Sequence, residues 1–342
     1  MSSKTVTTRD AWRVTERRFP MKRKIVIAFF GVALMGAVKY HLLTKIPVPG
    51  DGGFDYLSVD QANRRVYVSH GTQVDVLDAD KGTIVGKIPD TRGVHGIAIA
   101  SEFNRGFVSD GQSNDVTVFD LKTLAVVGHL PAGKKPDAII YDPTTKRVIV
   151  NNGDSNSSTI INAADQKVTG TVDLGGGPEF ASGDGKGKVF INLEDKSETV
   201  KIDPIALKLE ARWPLKPCEE PSAMAMDTAS RRIFVGCRNH MMAVLDADSG
   251  KVVTTMPIGD HVDAGDFEAS TKLVFFSNGD GTVNIFHEDS PDHYSQVDKV
   301  TTERGAKTMA FDPETHKIFL SVAEREGRTI KPGTFHVLVF GR

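Results

Sequence analysis

The stretch VYVSHGTQVDVLDADKGTIVGKIPD, residues 66–90, reads as three short strands, 66–69, 74–77 and 84–88. His70-Gly71 makes the first turn and the Asp-Ala-Asp-Lys-Gly run after Leu77 the second. Apolar residues alternate or run in fours, β-branched residues are frequent, and turn formers end each run. One such unit cannot bury both of its apolar faces, so it needs copies.

The copies are present. Strand, turn and strand recur as GFVSDGQSNDVTVFD (106–120), RVIVNNGDSNSSTIIN (147–162), KVFINLEDKSETVKID (188–203), RIFVGCRNHMMAVLD (232–246), LVFFSNGDGTVNIFH (273–287) and KIFLSVAEREGRTIKPGTFHVLVF (317–340). An apolar strand precedes each copy, and these strands end at Asp60, Ala100, Asp142, Asp184, Asp227, Glu268 and Asp312, at intervals of 40, 42, 42, 43, 41 and 44 residues. Seven four-stranded units at that period predict an all-β chain folded as a seven-bladed β-propeller over 42–342. The seventh unit ends after three strands, while LLTKIPVPGDGG (42–53) resembles the outer strands of other units. Residues 42–48 are therefore expected to supply the outer strand of blade seven and to close the ring.

Composition is that of a globular protein, with 39% hydrophobic and 25% charged residues, and the 32 glycines suit the many tight turns. Net charge is −2, but residues 1–41 hold nine Lys/Arg against two Asp/Glu. The remainder has 33 basic and 42 acidic residues, a net of −9, which argues against general binding of nucleic acid. The N-terminus divides into a short extension (1–20) and a segment (21–41) in which Lys22, Arg23 and Lys24 precede the apolar run 25–38. That run fits a signal-peptide core better than a spanning helix, which needs about 20 residues. Left uncleaved, 25–43 would be a short membrane anchor. Export to the periplasm or cell envelope is the expectation, with Met1 or Met21 as the start.

The two cysteines, Cys218 in the loop entering blade five and Cys237 at the end of that blade's second strand, lie in loops on one face. A disulfide is the natural reading in an oxidising compartment, two free thiols the alternative. Phosphate-loop, His-Glu-x-x-His and Gly-x-Ser-x-Gly motifs are missing, so no catalytic residue is assigned. HEDSPDHY (287–294) reads as a surface turn and WPLKPCEEP (213–221) as a stiff loop before blade five.

VYVSHGTQVDVLDADKGTIVGKIP, IFVGCRNHMMAVLDADSGKVVTTMPIG and VFINLEDKSETVKID resemble the YVTN repeat of YncE-like β-propeller proteins. The resemblance covers roughly 42–342. It departs in several repeats at the polar end of the motif, where Ser69, Ser109, Asn151, Asn192, Gly236, Ser277 and Ser321 stand. It implies an exported or envelope protein of the propeller fold and leaves the activity open.

Register alone locates a candidate site. Five residues before each inner-strand end stand Asp55, His95, Asp137, Glu179, Ser222, Asp263 and Lys307, all polar. Inner strands surround the channel, so these side chains should form a ring at one mouth. The loops after the second strands open on that face and add His70, Asp110, Asn152, Glu194, Arg238, Asn278 and Glu324. A hydrated channel lip is the plain reading. The functional one is that Asp55, Asp137, Glu179 and Asp263 with His95 must take up protons, bind a divalent cation, or pair with Lys307 and Arg238. Oxygen-rich ligands favour Ca²⁺ or Mg²⁺, and His95 admits Zn²⁺ or Mn²⁺. Asp55, His95, Asp137, Glu179, Asp263, Lys307, His70 and Arg238 are thus the expected ligand contacts of a monomeric module for a small molecule or an envelope protein. Lys307 is expected to fix an anionic group. No cofactor is required on this reading. The alternative is a metal-dependent enzyme of lactonase or lyase type.

Overall fold

The computed structural model describes residues 39–327 and 329–342, so the extension 1–20 and segment 21–38 lie outside the described residues. Seven four-stranded antiparallel sheets form the body, each ordered from the inner to the outer strand. Blade one runs Leu57–Asp60, Arg65–His70, Gln73–Asp78 and Ile84–Ile88, and blades two to six repeat that order. The β-propeller expected from the repeats is the fold.

Burial explains the strand patterns. Middle strands are covered on both faces by neighbouring blades, so they read as apolar runs: Arg147–Asn152 is buried at all but its first residue. The outer strand Lys167–Asp173 has one free face and is mostly exposed. The core is a series of inter-blade layers. Ala98, Phe107 and Val118 of blade two, for example, pack with Val148, Val150 and Ile161 of blade three. Turns behave as their residues dictate. Asp78 Oδ1 accepts the backbone N–H groups of Asp80 and Lys81 at 3.0 and 2.8 Å, and Gly82 then takes φ +67°. Blade seven carries an added hairpin, Arg325–Glu326 with Thr329–Ile330.

His41–Pro47 pairs with His336–Gly341, which pairs with Lys317–Val322 and then Met309–Asp312. The N-terminal strand is therefore the outer strand of blade seven, displaced one residue from the span 42–48. Ile46 and Val48 pack with Val337 and Val339, and Tyr40 meets the Phe275 ring edge-on at 5.7 Å. Lys39 Nζ and the Tyr40 N–H both donate to Asp298, at 3.0 and 3.1 Å. This corrects the reading of 25–43 as one anchor: 39–43 belong to the propeller, because Tyr40 has an aromatic partner and 41–43 have a strand to pair with. Among the described residues no helix is long and apolar enough to cross a membrane.

The Cys218–Cys237 disulfide is present, with Cα atoms 5.7 Å apart and both residues fully buried. It ties the entry loop of blade five to that blade's second strand.

Candidate functional site

The ring residues occupy a recurrent irregularity. In blades two to six the inner strand loses register with the second strand at its start, between Val94 and Ile97, Pro136 and Ile139, Pro178 and Ala181, Pro221 and Ala223, and Val262 and Ala264. His95, Asp137, Glu179, Ser222 and Asp263 lie inside those gaps. A bulge frees a residue from the ladder and re-aims its side chain.

The second strands hold most of the ring residues in place. Ser109 Oγ donates to the Asp137 carbonyl at 2.5 Å, Asn151 Nδ2 to the Glu179 carbonyl at 2.5 Å, and Asn192 Nδ2 to the Ser222 carbonyl at 3.3 Å. Ser277 Oγ donates to the Lys307 carbonyl at 2.6 Å and Ser321 Oγ to the Asp55 carbonyl at 3.0 Å. Each bond runs from one blade to the ring residue of the next. These five donors share one register position of their second strands, so Ser and Asn make the same bond with a different reach. Gly236 departs for a steric reason: a Cβ there would meet Val262 and Phe276 within 2.9 Å.

The ring is joined as follows. His95 Nδ1 donates to Asp55 Oδ2 at 2.7 Å and lies 3.5 Å from Asp137 Oδ1. One potential ligand atom from each of these three residues falls within 4.8 Å of the others. Ser222 Oγ donates to Asp263 Oδ1 at 2.9 Å. The expected cationic partners are engaged: Lys307 Nζ binds Asp263, and Arg238 binds Glu194. Lys307 is therefore not a free anchor for an anion, a correction with a local cause in the buried Asp263 carboxylate. His70 is not in the ring either. It is 2% exposed, its Nδ1 donates to Asp75 Oδ2 at 2.8 Å, and its ring packs at a tilt against Phe335 with centroids 4.6 Å apart. It ends a regular strand, with no bulge to turn it inward.

Tyr56 was invisible in the sequence, since its neighbours read as apolar strand. It is 6% exposed and its ring meets Phe180 edge-on at 5.1 Å. Tyr56 belongs to blade one and Phe180 to blade four, so the pair spans the channel. On the far side lies a cavity of about 370 Å³ whose lining includes Leu57, Ile97, Ile139, Met309, Phe311 and Asp266. On the near side the carboxylates gather, and Asp137, Glu179 and Glu194 line a second cavity of about 340 Å³ with Asp154, Asp195 and Glu220.

Electrostatics follow from that crowding. Burial, then the charge of Asp137 and a hydrogen bond with Glu194, push the Glu179 carboxyl up to about 9. Burial raises Asp137 to about 6 against the pull of His95. Burial alone would lower the His95 imidazole, but Asp55 and Asp137 hold it above its usual value. Burial, with the charges of Asp263, Asp55, Asp137 and Glu179, sends the Tyr56 phenol well above its ordinary range. Tyr56 thus stays protonated, a donor set among acceptors.

No protein-family model and no curated protein matches the chain. Among solved structures, a chain in "Crystal Structure of Mitotic Checkpoint Complex" is similar over 99% of both chains, with a TM-score of 0.75 and 13% identity. The likeness is one of fold alone. The site therefore rests on its own geometry.

Proposed function

We propose that this propeller is a non-catalytic binding module that takes a positively charged ligand at the acidic mouth of its channel. The observation that carries the reading is the convergence of Asp55, Asp137 and Glu179 above the buried Tyr56, while Lys307 and Arg238 are already neutralised by Asp263 and Glu194. Mg²⁺ or Ca²⁺ fits the carboxylate-rich ring first, Zn²⁺ or Mn²⁺ is the lesser choice through the Asp55–His95–Asp137 corner, and an ammonium group of a small molecule or of an envelope protein fits the wider ring. The YVTN-type repeats, the basic-then-apolar leader and the disulfide support an exported, envelope-located protein.

Calorimetric titration of Mg²⁺, Ca²⁺ and spermidine into wild type and an Asp137→Asn/Glu179→Gln variant tests this. Binding to wild type that weakens in the variant, with circular dichroism unchanged, is expected. Identical binding by both proteins would place the ligand elsewhere. The second reading, a lactonase- or lyase-type metal enzyme, is favoured by the Tyr56 hydroxyl beside that corner, a proton donor in reach of a bound substrate. Metal-dependent turnover of a lactone, lost in Tyr56→Phe, would replace the first reading with it.

A further inference from the structure

A second constellation lies on blade two, one strand outward from the channel. Asp110 ends the second strand, Arg105–Asp110; Asp115 opens the third, Asp115–Asp120; His129 sits in the outer strand, Val126–Pro131. The ladder sets Asp110 opposite Asp115 and Thr117 opposite His129, so three strands present these groups on one patch. One carboxylate oxygen from each aspartate and one imidazole nitrogen lie within 4.8 Å of one another.

Asp110 is the decisive member. It is fully buried, its Oδ2 accepts the Thr117 N–H at 3.1 Å and the Thr117 hydroxyl at 2.5 Å, and its Oδ1 has no hydrogen-bond partner among the described residues. A buried carboxylate oxygen without a donor is among the more expensive defects a fold can hold. Blade three shows how the same register position is otherwise satisfied. There Asn152 donates to Ser157 Oγ and Thr159 Oγ1 at 3.3 and 3.0 Å and accepts the Gly133 N–H at 3.1 Å. Blade five fills the position with the disulfide cysteine Cys237. Blade two alone puts a carboxylate there, with Asp115 and His129 over it.

We propose that Asp110, Asp115 and His129 form a site for one borderline divalent cation, Zn²⁺ or a first-row neighbour such as Co²⁺. Two carboxylate oxygens and one imidazole nitrogen suit that class, whereas Ca²⁺ seeks six to eight oxygens. The orienting shell is in place. Thr117 fixes the Asp110 carboxylate, and Ser113 Oγ donates to Asp115 Oδ1 at 2.6 Å. His129 Nδ1 lies 3.2 Å from Thr117 Oγ1 and 3.7 Å from Asp115 Oδ2, and its half-exposed ring leaves the remaining coordination directions to solvent. Burial raises the Asp110 carboxyl to about 7, against the hydrogen bonds from Thr117 and, more weakly, the charge of His95, while the charge of Asp115 adds to the rise; a cation at Oδ1 would oppose it. This site is separate from the channel mouth, though close to it: a Cβ at Gly111 would touch His95 Nε2 at 2.7 Å.

The test uses the full chain, stripped by chelator and titrated with Co²⁺ followed by visible absorption and with Zn²⁺ followed by calorimetry. Three variants are compared with wild type: Asp115→Asn/His129→Ala, the exposed single change His129→Ala, and Asp55→Asn/Asp137→Asn at the mouth. Wild type and the mouth variant should both load this site. Both His129 variants should weaken that event by more than the ~10–100-fold that loss of an outer-shell partner alone produces. A wild type that binds neither ion, or His129 variants that titrate as wild type does, overturns the proposal. Loss confined to the mouth variant overturns it too and assigns the metal to the channel. Binding of two equivalents by wild type and one by each double variant supports both sites.

Discussion

At the residue scale the mouth is a case of carboxylates held where they resist ionisation. Glu179 titrates near 9 and Asp137 near 6 in the folded chain, both above their unfolded values. Between the unfolded and folded pKa values the native state binds more protons than the unfolded chain. Stability contributed by these groups is therefore lost as pH rises, from about 4 upward through pH 9. Asp137→Asn/Glu179→Gln should accordingly melt a few degrees above wild type at pH 8 and close to it at pH 4. A variant that is less stable than wild type at pH 8 would show that the carboxylates are already compensated. Of this site, the polarity and register of Asp55, His95, Asp137, Glu179 and Asp263 were legible from aligned repeats. That Lys307 would choose Asp263 among the ring carboxylates, and His70 Asp75, was not, because each depends on which way a side chain turns from a shared register position. Tyr56 was missed for the opposite reason: an aromatic in an apolar strand has no periodic signature that separates a channel plug from core.

At the element scale the decisive device is the bulge opening the inner strands of blades two to six, clamped from the preceding blade at Asp137, Glu179 and Ser222. Asn151 is fully buried; its amide donates to the Glu179 carbonyl, and its Oδ1 accepts from Ser158 Oγ at 2.7 Å. Asn151→Ala would leave that carbonyl and hydroxyl unpaired, a loss of about 1–3 kcal/mol, and would loosen Glu179 at the mouth. Asn151→Ser should recover part of it, since Ser109 and Ser277 make the same bond from the same register position. Thermal melts with ligand titration read both effects, and equal melting of the Ala and Ser variants would deny the clamp its role. The positions of these donors were visible as one shared position in the aligned repeats. Their purpose was not, because a bond between blades cannot be read from one repeat.

At the scale of the whole molecule, stability depends on the ring being closed. Each blade buries its face against the next, and only blade seven draws strands from both ends of the chain. Arg64 reinforces the seam from the other side, binding Asp80 of blade one and the buried Asp312 of blade seven at 2.6 and 2.7 Å. Replacing 41–47 by a Gly/Ser segment of equal length would leave His336–Gly341 with an unpaired edge and uncover its apolar face. Ile46, with Val48 and Tyr40 at its flanks, would lose much of its burial, and apolar side chains of that kind stabilise by roughly 1.5–3 kcal/mol each. The loss should be on the order of 5 kcal/mol, and it should be global, because opening one seam exposes blade faces on both sides of it. A calorimetric scan of the full-length variant is the measurement, compared with a variant in which Leu42 and Leu43 alone, both exposed, are changed to Ser. The Gly/Ser chain should melt well below wild type and the surface variant near it. A Gly/Ser chain with an unchanged midpoint would mean that the six complete blades hold the ring without the seam, and that the N-terminal strand is an ornament on a fold already closed.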